Sequence, residues 1–174
     1  MLVTHWIFFG VILVVAVQRL WELRLSKRHE QALQQQGGRV HETTRYTWIQ
    51  LIHGFWFISM VAEVVLLHRP FYLWLALPAL LVFGGGQVLR YLAITALGKY
   101  WTVKIVSLPD APIVQTGIYR YLRHPNYLGV VLEIASLPLL HTAYLTAIIF
   151  SVTNTALITS RIRREEEVLD RRRP

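Results

Sequence analysis

The chain has 174 residues, enough for one domain, and only 16% of them are charged, whereas soluble proteins carry about 25%. Its net charge of +8 would suit nucleic acid, but the basic residues lie between apolar stretches and form no separate basic domain, which argues against a polynucleotide ligand. Cysteine is absent, which excludes disulfides, thiolate metal sites and a cysteine nucleophile. We therefore expect an integral membrane protein.

Long stretches without Asp, Glu, Lys or Arg mark the predicted membrane segments. A helix needs roughly 20 apolar residues to cross a hydrocarbon core of about 30 Å. The first three predicted spans are Leu2 to Gln18, Tyr46 to Leu67 and Phe71 to Leu89, and the last two of them are joined by a tight turn at residues 68–70.

The last uncharged stretch, residues 134–160, has 27 residues and is too long for one ordinary span. Pro138 and the polar residues after it predict a break. We therefore predict two helices here, at about Pro125 to Leu139 and Ala143 to Leu169, which form a helix-turn-helix. The predicted fold is all-α, with five transmembrane helices.

The cations follow this five-helix scheme. Residues 19–45 hold six Lys and Arg, residues 90–123 hold five and residues 161–173 hold six, whereas the opposite side has only Arg69. Because cytoplasmic loops collect Lys and Arg, this distribution predicts an N-terminus outside and a C-terminus in the cytoplasm.

Two cytoplasmic segments connect the predicted spans. Residues 19–36 mix leucines with charged residues and are predicted to continue the first helix along the interface until Gly37-Gly38 stops it. Residues 90–123 contain Pro and Gly at positions that favour turns.

A polar, aromatic and cation-rich segment, Gly117-Ile-Tyr-Arg-Tyr-Leu-Arg-His-Pro-Asn-Tyr-Leu-Gly129, precedes the fourth helix. Pro125 suits a first helical turn, and the free N–H groups after it form an anion site. His124, Asn126 and Tyr127 would surround that site with donors and acceptors, which suits an amino-acid carboxylate. An interfacial anchor of Arg, His and Tyr is the alternative, and composition does not decide between them.

The second candidate segment is Arg161-Ile-Arg-Arg-Glu-Glu-Glu-Val-Leu169, at the cytoplasmic end of the last helix. Arg161 and Glu165 are four residues apart, so they share one helix face and present a cation and an acid together. The alternative is a cluster of cations that fixes topology, with a few surface ion pairs.

Together these segments resemble the isoprenylcysteine carboxyl methyltransferase family of integral membrane methyltransferases. The resemblance rests on Gly-x-Tyr and Arg-His-Pro-x-Tyr-x-Gly at 117–129, followed by Arg-x-x-x-Glu-Glu at 161–166. It covers about 84–169, expected to be the cofactor and catalytic half of a single membrane-embedded domain, 1–174. The run from Gln18 to Arg28 and Trp101-Thr-Val-Lys104 look closest to small bacterial members, some of which accompany type III polyketide synthases.

The resemblance implies S-adenosylmethionine as methyl donor and no metal. Arg161 and Glu165 would be the catalytic pair, with Arg161 facing the substrate. The residues implied in cofactor binding are Lys104, Ala111, Pro112, Ile113, Val114, Tyr119, His124, Pro125, Asn126, Tyr127 and Glu165. Lys104 stands where a glutamine is expected, and Ala111 and Pro112 where the family has a polar pair.

The predicted function is methylation of an oxygen on a lipophilic acceptor that enters from the bilayer, at the cytoplasmic face of a bacterial inner membrane. The acidic hydroxyl of a long-chain polyketide, of the alkylpyrone or alkylresorcinol type, is favoured over the carboxylate of a prenylated cysteine. A noncatalytic transporter or lipid-binding protein is the alternative from another class. Glu63 and Glu133, within the apolar segments, face either a substrate cavity or a partner such as His53 or Arg90. The sequence leaves the oligomeric state open.

Overall fold

The computed structural model describes residues 2–41, 44–109, 111 and 114–170. The described chain is predominantly α-helical, which confirms the predicted fold class. The helices are α1 (Leu2–Gln35), α2 (Thr44–Leu66), α3 (Leu73–Leu97), α4 (Pro125–Ser136) and α5 (Tyr144–Asp170), with strands β1 (Arg39–Val40) and β2 (Val106–Ser107) and short 3-10 turns at Gly98–Tyr100, Gly117–Arg120 and Pro138–His141.

Four of these helices, α1, α2, α3 and α5, are long and apolar enough to cross a membrane. The fifth predicted span is not: α4 has 12 residues, or about 18 Å of helix, which is shorter than the hydrocarbon core. The predicted break at Pro138 is confirmed, because α4 ends at Ser136 and a 3-10 turn leads into α5. The helix-turn-helix therefore forms, with a first helix shorter than the sequence predicted.

The predicted helix stop at Gly37-Gly38 is confirmed. The helix α1 runs unbroken to Gln35, Gly37 adopts a φ of +89°, and the Gly38 amide donates to the Leu33 carbonyl at 2.8 Å. A Cβ on Gly38 would lie 2.7 Å from that carbonyl oxygen, so only glycine fits there.

One boundary was predicted wrongly. The third span was expected to end at Leu89, before Arg90, but α3 continues to Leu97 and Arg90 is buried in its middle. The reason is a buried ionic cluster of Arg19, Glu22, Arg90 and Glu133, in which Arg90 pairs with Glu22 and with Glu133, and Arg19 pairs with both carboxylates. This cluster joins α1, α3 and α4. Glu133 thus has the Arg90 partner that the sequence suggested.

The bundle has two ends with different chemistry. At one end, called the turn end, the 3-10 turn at Pro138–His141 contacts the start of α1, since His141 Nε2 lies 3.4 Å from Thr4 Oγ1. The next residue, Thr142, donates to the Pro70 carbonyl in the loop between α2 and α3 at 2.6 Å. Glu63 lies there as well: it pairs with Arg69 at 2.8 Å and accepts the backbone N–H groups of Leu145 and Thr146.

At the opposite end, called the site end, the last turns of α1 hold the segment 101–107. The Val103 amide donates to Ser26 Oγ at 2.7 Å, the His29 ring donates to the Trp101 carbonyl at 2.8 Å, and Lys104 pairs with Glu30 at 2.9 Å. The antiparallel strands β1 and β2 add a further connection, with Arg39 opposite Ser107. These contacts place the C-terminal part of α1 beside the loop that leads to the candidate site.

Candidate active site

Tyr127, in the first turn of α4, is the centre of the candidate site. Its hydroxyl donates to Glu165 Oε2 at 2.5 Å and accepts a hydrogen bond from Arg161 Nε at 2.8 Å. Arg161 and Glu165 therefore share a face of α5, as their spacing predicts. One phenol joins the two residues that were predicted to form the catalytic pair.

Arg161 is buried, with 8% of its surface exposed. Its guanidinium lies 5.7 Å from the centroid of the Tyr127 ring, a cation-π distance. Among the described residues its only side-chain hydrogen bond is the one from Nε to Tyr127, and no carboxylate lies within ion-pair distance of it. Because a buried cation without a carboxylate is costly, the terminal nitrogens of Arg161 are well placed to bind an anion.

The start of α4 has the geometry that the sequence predicted at Pro125. His124 precedes the helix and Pro125 occupies its first position. The His124 ring does not cap the helix: its Nε2 lies 3.2 Å from Glu166 Oε1 on α5, and its centroid lies 5.7 Å from that of Tyr127. Asn126 Oδ1 is buried and has no hydrogen-bond partner within the described part of the chain. The first turn therefore offers amide donors and one free buried acceptor.

Tyr119 lies close to this centre, in the 3-10 turn at Gly117–Arg120. Burial raises the pKa of its hydroxyl, and the Glu165 carboxylate raises that pKa further. The Tyr119 side chain is therefore a neutral phenol at physiological pH, within electrostatic reach of the carboxylate that Tyr127 binds.

Lys104 is engaged by residues outside this centre. Besides its ion pair with Glu30, its ammonium lies 5.3 Å from the centroid of the Tyr46 ring at the start of α2. The positive charges of Lys104 and Arg161 both act on the Tyr46 hydroxyl. A contact between Lys104 and a cofactor stays a prediction, and a ligand would have to compete with Glu30.

The remaining predicted cofactor residues are in the loop before Gly117. Ala111 and Val114 are half-buried there, and the Ala111 amide donates to the Leu108 carbonyl at 3.1 Å. Pro112 and Ile113 lie outside the described residues. The structure thus brings together His124, Asn126, Tyr127, Tyr119, Arg161 and Glu165, while the role of residues 111–114 stays a prediction.

Sequence reasoning missed two residues of the site, Tyr46 and Glu166. Tyr46 was taken only as the beginning of a span, because an aromatic residue at a membrane interface needs no function. Glu166 was part of the Arg-x-x-x-Glu-Glu motif but had no role of its own until the fold placed it against His124.

The part of the chain that contains these residues is similar to a known protein family. The chain matches the family model described as "Isoprenylcysteine carboxyl methyltransferase (ICMT) family" over residues 77–171, which include Tyr119, Tyr127, Arg161 and Glu165. It is 37% identical to the uncharacterized protein YpbQ of Bacillus subtilis, over 93% of this chain and 96% of that protein. It is 28% identical to an uncharacterized protein of Haemophilus influenzae, over 94% and 93% of the two chains.

A more distant relative has a printed function. The chain is 30% identical to the Protein-S-isoprenylcysteine O-methyltransferase of Dictyostelium discoideum, over 58% of this chain and 43% of that protein. The family match covers more than half of the chain, and it confirms the resemblance carried by the motifs at 117–129 and 161–166. The chain therefore belongs to the isoprenylcysteine carboxyl methyltransferase family of membrane methyltransferases.

Proposed function

We propose that this protein is an S-adenosylmethionine-dependent O-methyltransferase that methylates an anionic oxygen on a lipophilic acceptor. The observation that carries the proposal is Arg161, a buried guanidinium held by Tyr127 and unpaired with any described carboxylate. A cation in that state suits an acceptor anion. Tyr127 and Glu165 lie within hydrogen-bond reach of each other beside it, so the group to be methylated would be bound next to the start of α4.

The residues around Tyr127 fit the proposed cofactor. The amide donors at the start of α4 suit the methionyl carboxylate, and the buried Asn126 Oδ1, which lacks a partner among the described residues, suits an ammonium or hydroxyl donor. Glu165 suits the cationic or hydroxyl side of the molecule, and the faces of Tyr119 and Tyr127 suit a sulfonium. When bound, S-adenosylmethionine supplies a methyl group on a positively charged sulfur.

The chain's own part in the reaction is positioning. A carboxylate is already ionised at neutral pH, so no general base is needed, and the acceptor oxygen has only to be held in line with the bond to the methyl group. Arg161 orients that oxygen through its terminal nitrogens, and Tyr127 fixes the guanidinium through Nε. Because the Tyr127 hydroxyl also bonds Glu165, the acceptor side and the cofactor side of the site are coupled through one atom.

The order of preference between the two acceptors predicted from the sequence changes. The relatives give no support for the favoured polyketide hydroxyl, whereas the name of the Dictyostelium relative describes methylation at an isoprenylcysteine. A carboxylate also matches the planar fork of Arg161 better than a single phenolate oxygen does. We therefore take a prenylated cysteine carboxylate as the first acceptor to test and an alkylpyrone as the second.

We further propose that the site end faces the bacterial cytoplasm and that the N-terminus is outside. Arg19 and Arg90 belong to the buried ionic cluster, and fifteen of the other sixteen Lys and Arg residues lie in the segments assigned to the cytoplasmic face. Thr4 lies at the turn end and Glu166 at the site end. Since the chain has no native cysteine, Val3→Cys and Glu167→Cys should label from opposite sides of the membrane, and labelling from the same side would contradict this orientation.

The proposed activity is tested with the purified protein in lipid nanodiscs, labelled S-adenosylmethionine and each of the two acceptors. We expect label in the ester of the prenylcysteine analogue, a large loss of label in Arg161→Ala, and no loss in Arg163→Ala, which removes an exposed cation two residues away on the same helix. Label in the alkylpyrone alone would restore the polyketide acceptor. Failure to bind S-adenosylhomocysteine would favour a noncatalytic lipid-binding protein.

A further inference from the structure

Helices α2 and α5 run antiparallel. The contacts at their ends show which residues of α2 and α5 lie at the same level along the bundle axis. Near the turn end, Glu63 of α2 accepts the amides of Leu145 and Thr146 of α5. At the site end, the Tyr46 ring of α2 lies 5.3 Å from the Lys104 ammonium, and Arg161 of α5 donates to the Tyr127 hydroxyl at 2.8 Å. Interpolation between these two levels places Asn154 of α5 at the depth of His53 and Trp56 of α2.

His53 and Trp56 lie on the face of α2 that points into the bundle. Trp56 and Met60 are fully buried on this face. His53 and Ile49, one and two turns nearer the site end than Trp56, keep some accessible surface. The His53 ring lies edge-on to the Trp56 ring, with the two centroids 6.5 Å apart. His53 and Trp56 are therefore neighbours on this face, and His53 is the less enclosed of the two.

Three polar groups at this depth have no hydrogen-bond partner among the described residues. Trp56 Nε1 and Asn154 Nδ2 are buried donors on side chains that are each 2% exposed. The third is His53 Nε2. Its Nδ1 lies 2.8 Å from the Ile49 carbonyl, which can only accept, so Nδ1 carries the proton and Nε2 of the neutral ring is an acceptor.

Unsatisfied polar groups are costly inside a membrane bundle, because no bulk solvent compensates them. The packing of α2 against α5 gives no reason for a tryptophan N–H and an asparagine amide to remain unbonded at one depth. Two donors and one acceptor are the complement of a hydroxyl, which accepts two hydrogen bonds and donates one. Asn154 lies seven residues from Arg161 on the same face of α5, or about 10 Å deeper along the helix axis.

We propose that His53, Trp56 and Asn154 form a second, polar subsite of the acceptor cavity, which binds a hydroxyl group on the acceptor's chain. This inference rests on the proposed function, because Arg161 supplies the anchor for the methylated oxygen. The acceptor is then a lipid with a hydroxyl about 10 Å from the oxygen that is methylated. An unsubstituted hydrocarbon tail would leave both donors unsatisfied.

The test compares two probes that differ only in this group: stearate, and the same fatty carboxylate with one hydroxyl about 10 Å from the carboxylate, the separation taken from the helical rise. Dissociation constants are measured calorimetrically on the full chain saturated with S-adenosylhomocysteine. The wild type should bind the hydroxylated chain about tenfold more tightly, the size expected for a buried hydrogen bond. Asn154→Leu should remove that preference, and Trp56→Phe should reduce it.

Thr155→Val is the matched control, since it makes a polar residue apolar on the exposed face of the same helix. It should keep the preference. Asn154→Leu should also keep or raise the melting temperature, because it removes an unsatisfied donor, whereas a structural asparagine would lower it. Equal binding of both probes by the wild type, or an unchanged preference in Asn154→Leu, would overturn the subsite and leave water as its only occupant.

Turnover is measured separately from binding. If neither probe nor the prenylcysteine analogue is methylated, the proposed function fails, while the ratio of the two dissociation constants still decides the subsite. If methylation occurs and the ratio is one, the subsite fails alone.

Discussion

The two ends of the bundle each bury a charged side chain, and the two side chains differ in how many hydrogen-bond partners they have. At the turn end, the Glu63 carboxylate is fully occupied by Arg69, by two amides at the start of α5 and by the Thr146 hydroxyl. At the site end, Nε makes the one hydrogen bond that joins the Arg161 side chain to the described part of the chain. The hydrogen bonds that a buried charge has already made thus separate a residue that holds helices together from one that is ready for a ligand.

The largest effect that would test this contrast is expected from Arg161→Ala. Acceptor binding should weaken by roughly 2 to 4 kcal/mol, because a desolvated ionic contact is lost, while cofactor affinity and melting temperature change little. Arg161→Lys should also be damaging if the contact is bidentate, since lysine presents a point charge instead of a planar fork. Calorimetric titration of both ligands against each variant gives the two constants. A variant that retains turnover would place the site elsewhere.

Glu63→Ala should show the opposite pattern. Its removal leaves Arg69 and the first amides of α5 without their acceptor, so we expect a loss of stability of about 2 to 3 kcal/mol. The ratio of acceptor to cofactor affinity should stay as in the wild type. Unfolding in detergent, followed by circular dichroism, measures the first quantity. A stable Glu63→Ala protein with altered ligand binding would reverse the assignment of the two ends.

Within the site end, Glu165→Ala should separate cofactor binding from acceptor binding. Cofactor binding should weaken by about 1 to 2 kcal/mol, since a half-buried hydrogen-bonding carboxylate is lost, and acceptor binding should change less. Tyr127→Phe and His124→Ala should also weaken cofactor binding more than acceptor binding. Tyr127→Phe tests the coupling directly, because it removes the hydroxyl that joins Arg161 to Glu165. Unchanged affinity for S-adenosylhomocysteine in a folded His124→Ala protein would favour the interfacial-anchor interpretation.

The smallest effect is expected from Lys104→Gln and Glu30→Gln. Their ion pair is partly exposed, so each substitution should change stability by about 1 kcal/mol or less. If Lys104 positions the loop through Glu30, both variants should alter cofactor affinity to a similar small extent. A much larger effect of Lys104→Gln alone would support direct contact between Lys104 and the cofactor.

Local signals in the sequence predicted much of this molecule. Pro138 predicts the break before α5, Gly37-Gly38 predicts the end of α1, and the spacing of Arg161 and Glu165 predicts a shared face; all three are observed. Each of these signals acts within a few residues of the chain, where backbone geometry and helical periodicity decide the outcome.

The features that the sequence did not predict depend on contacts between residues far apart in the chain. Arg90 was taken as the start of a loop because an isolated cation is rare inside a membrane helix, yet Glu22 lies 68 residues away in the chain and neutralises it. The length of α4 was overestimated because the residues from Pro138 to His141 continue the same path as a 3-10 turn. The sequence could not predict that Asn154 Nδ2 lacks a hydrogen-bond partner among the described residues, since only packing shows which partners a buried group has.

The hydrogen bonds and the ion pair between α1 and the segment from Trp101 to Ser107 have a consequence for protein engineering. Residues 77–171 match the family, but Ser26, His29, Glu30 and Arg39 lie outside that range. A fragment cut at the limits of the family match would expose the Val103 amide, leave Lys104 uncompensated and free one edge of Val106. Chimeras that exchange family members at residue 77 should therefore carry their own first helix with them, because contacts that hold the family-matched part cross that boundary.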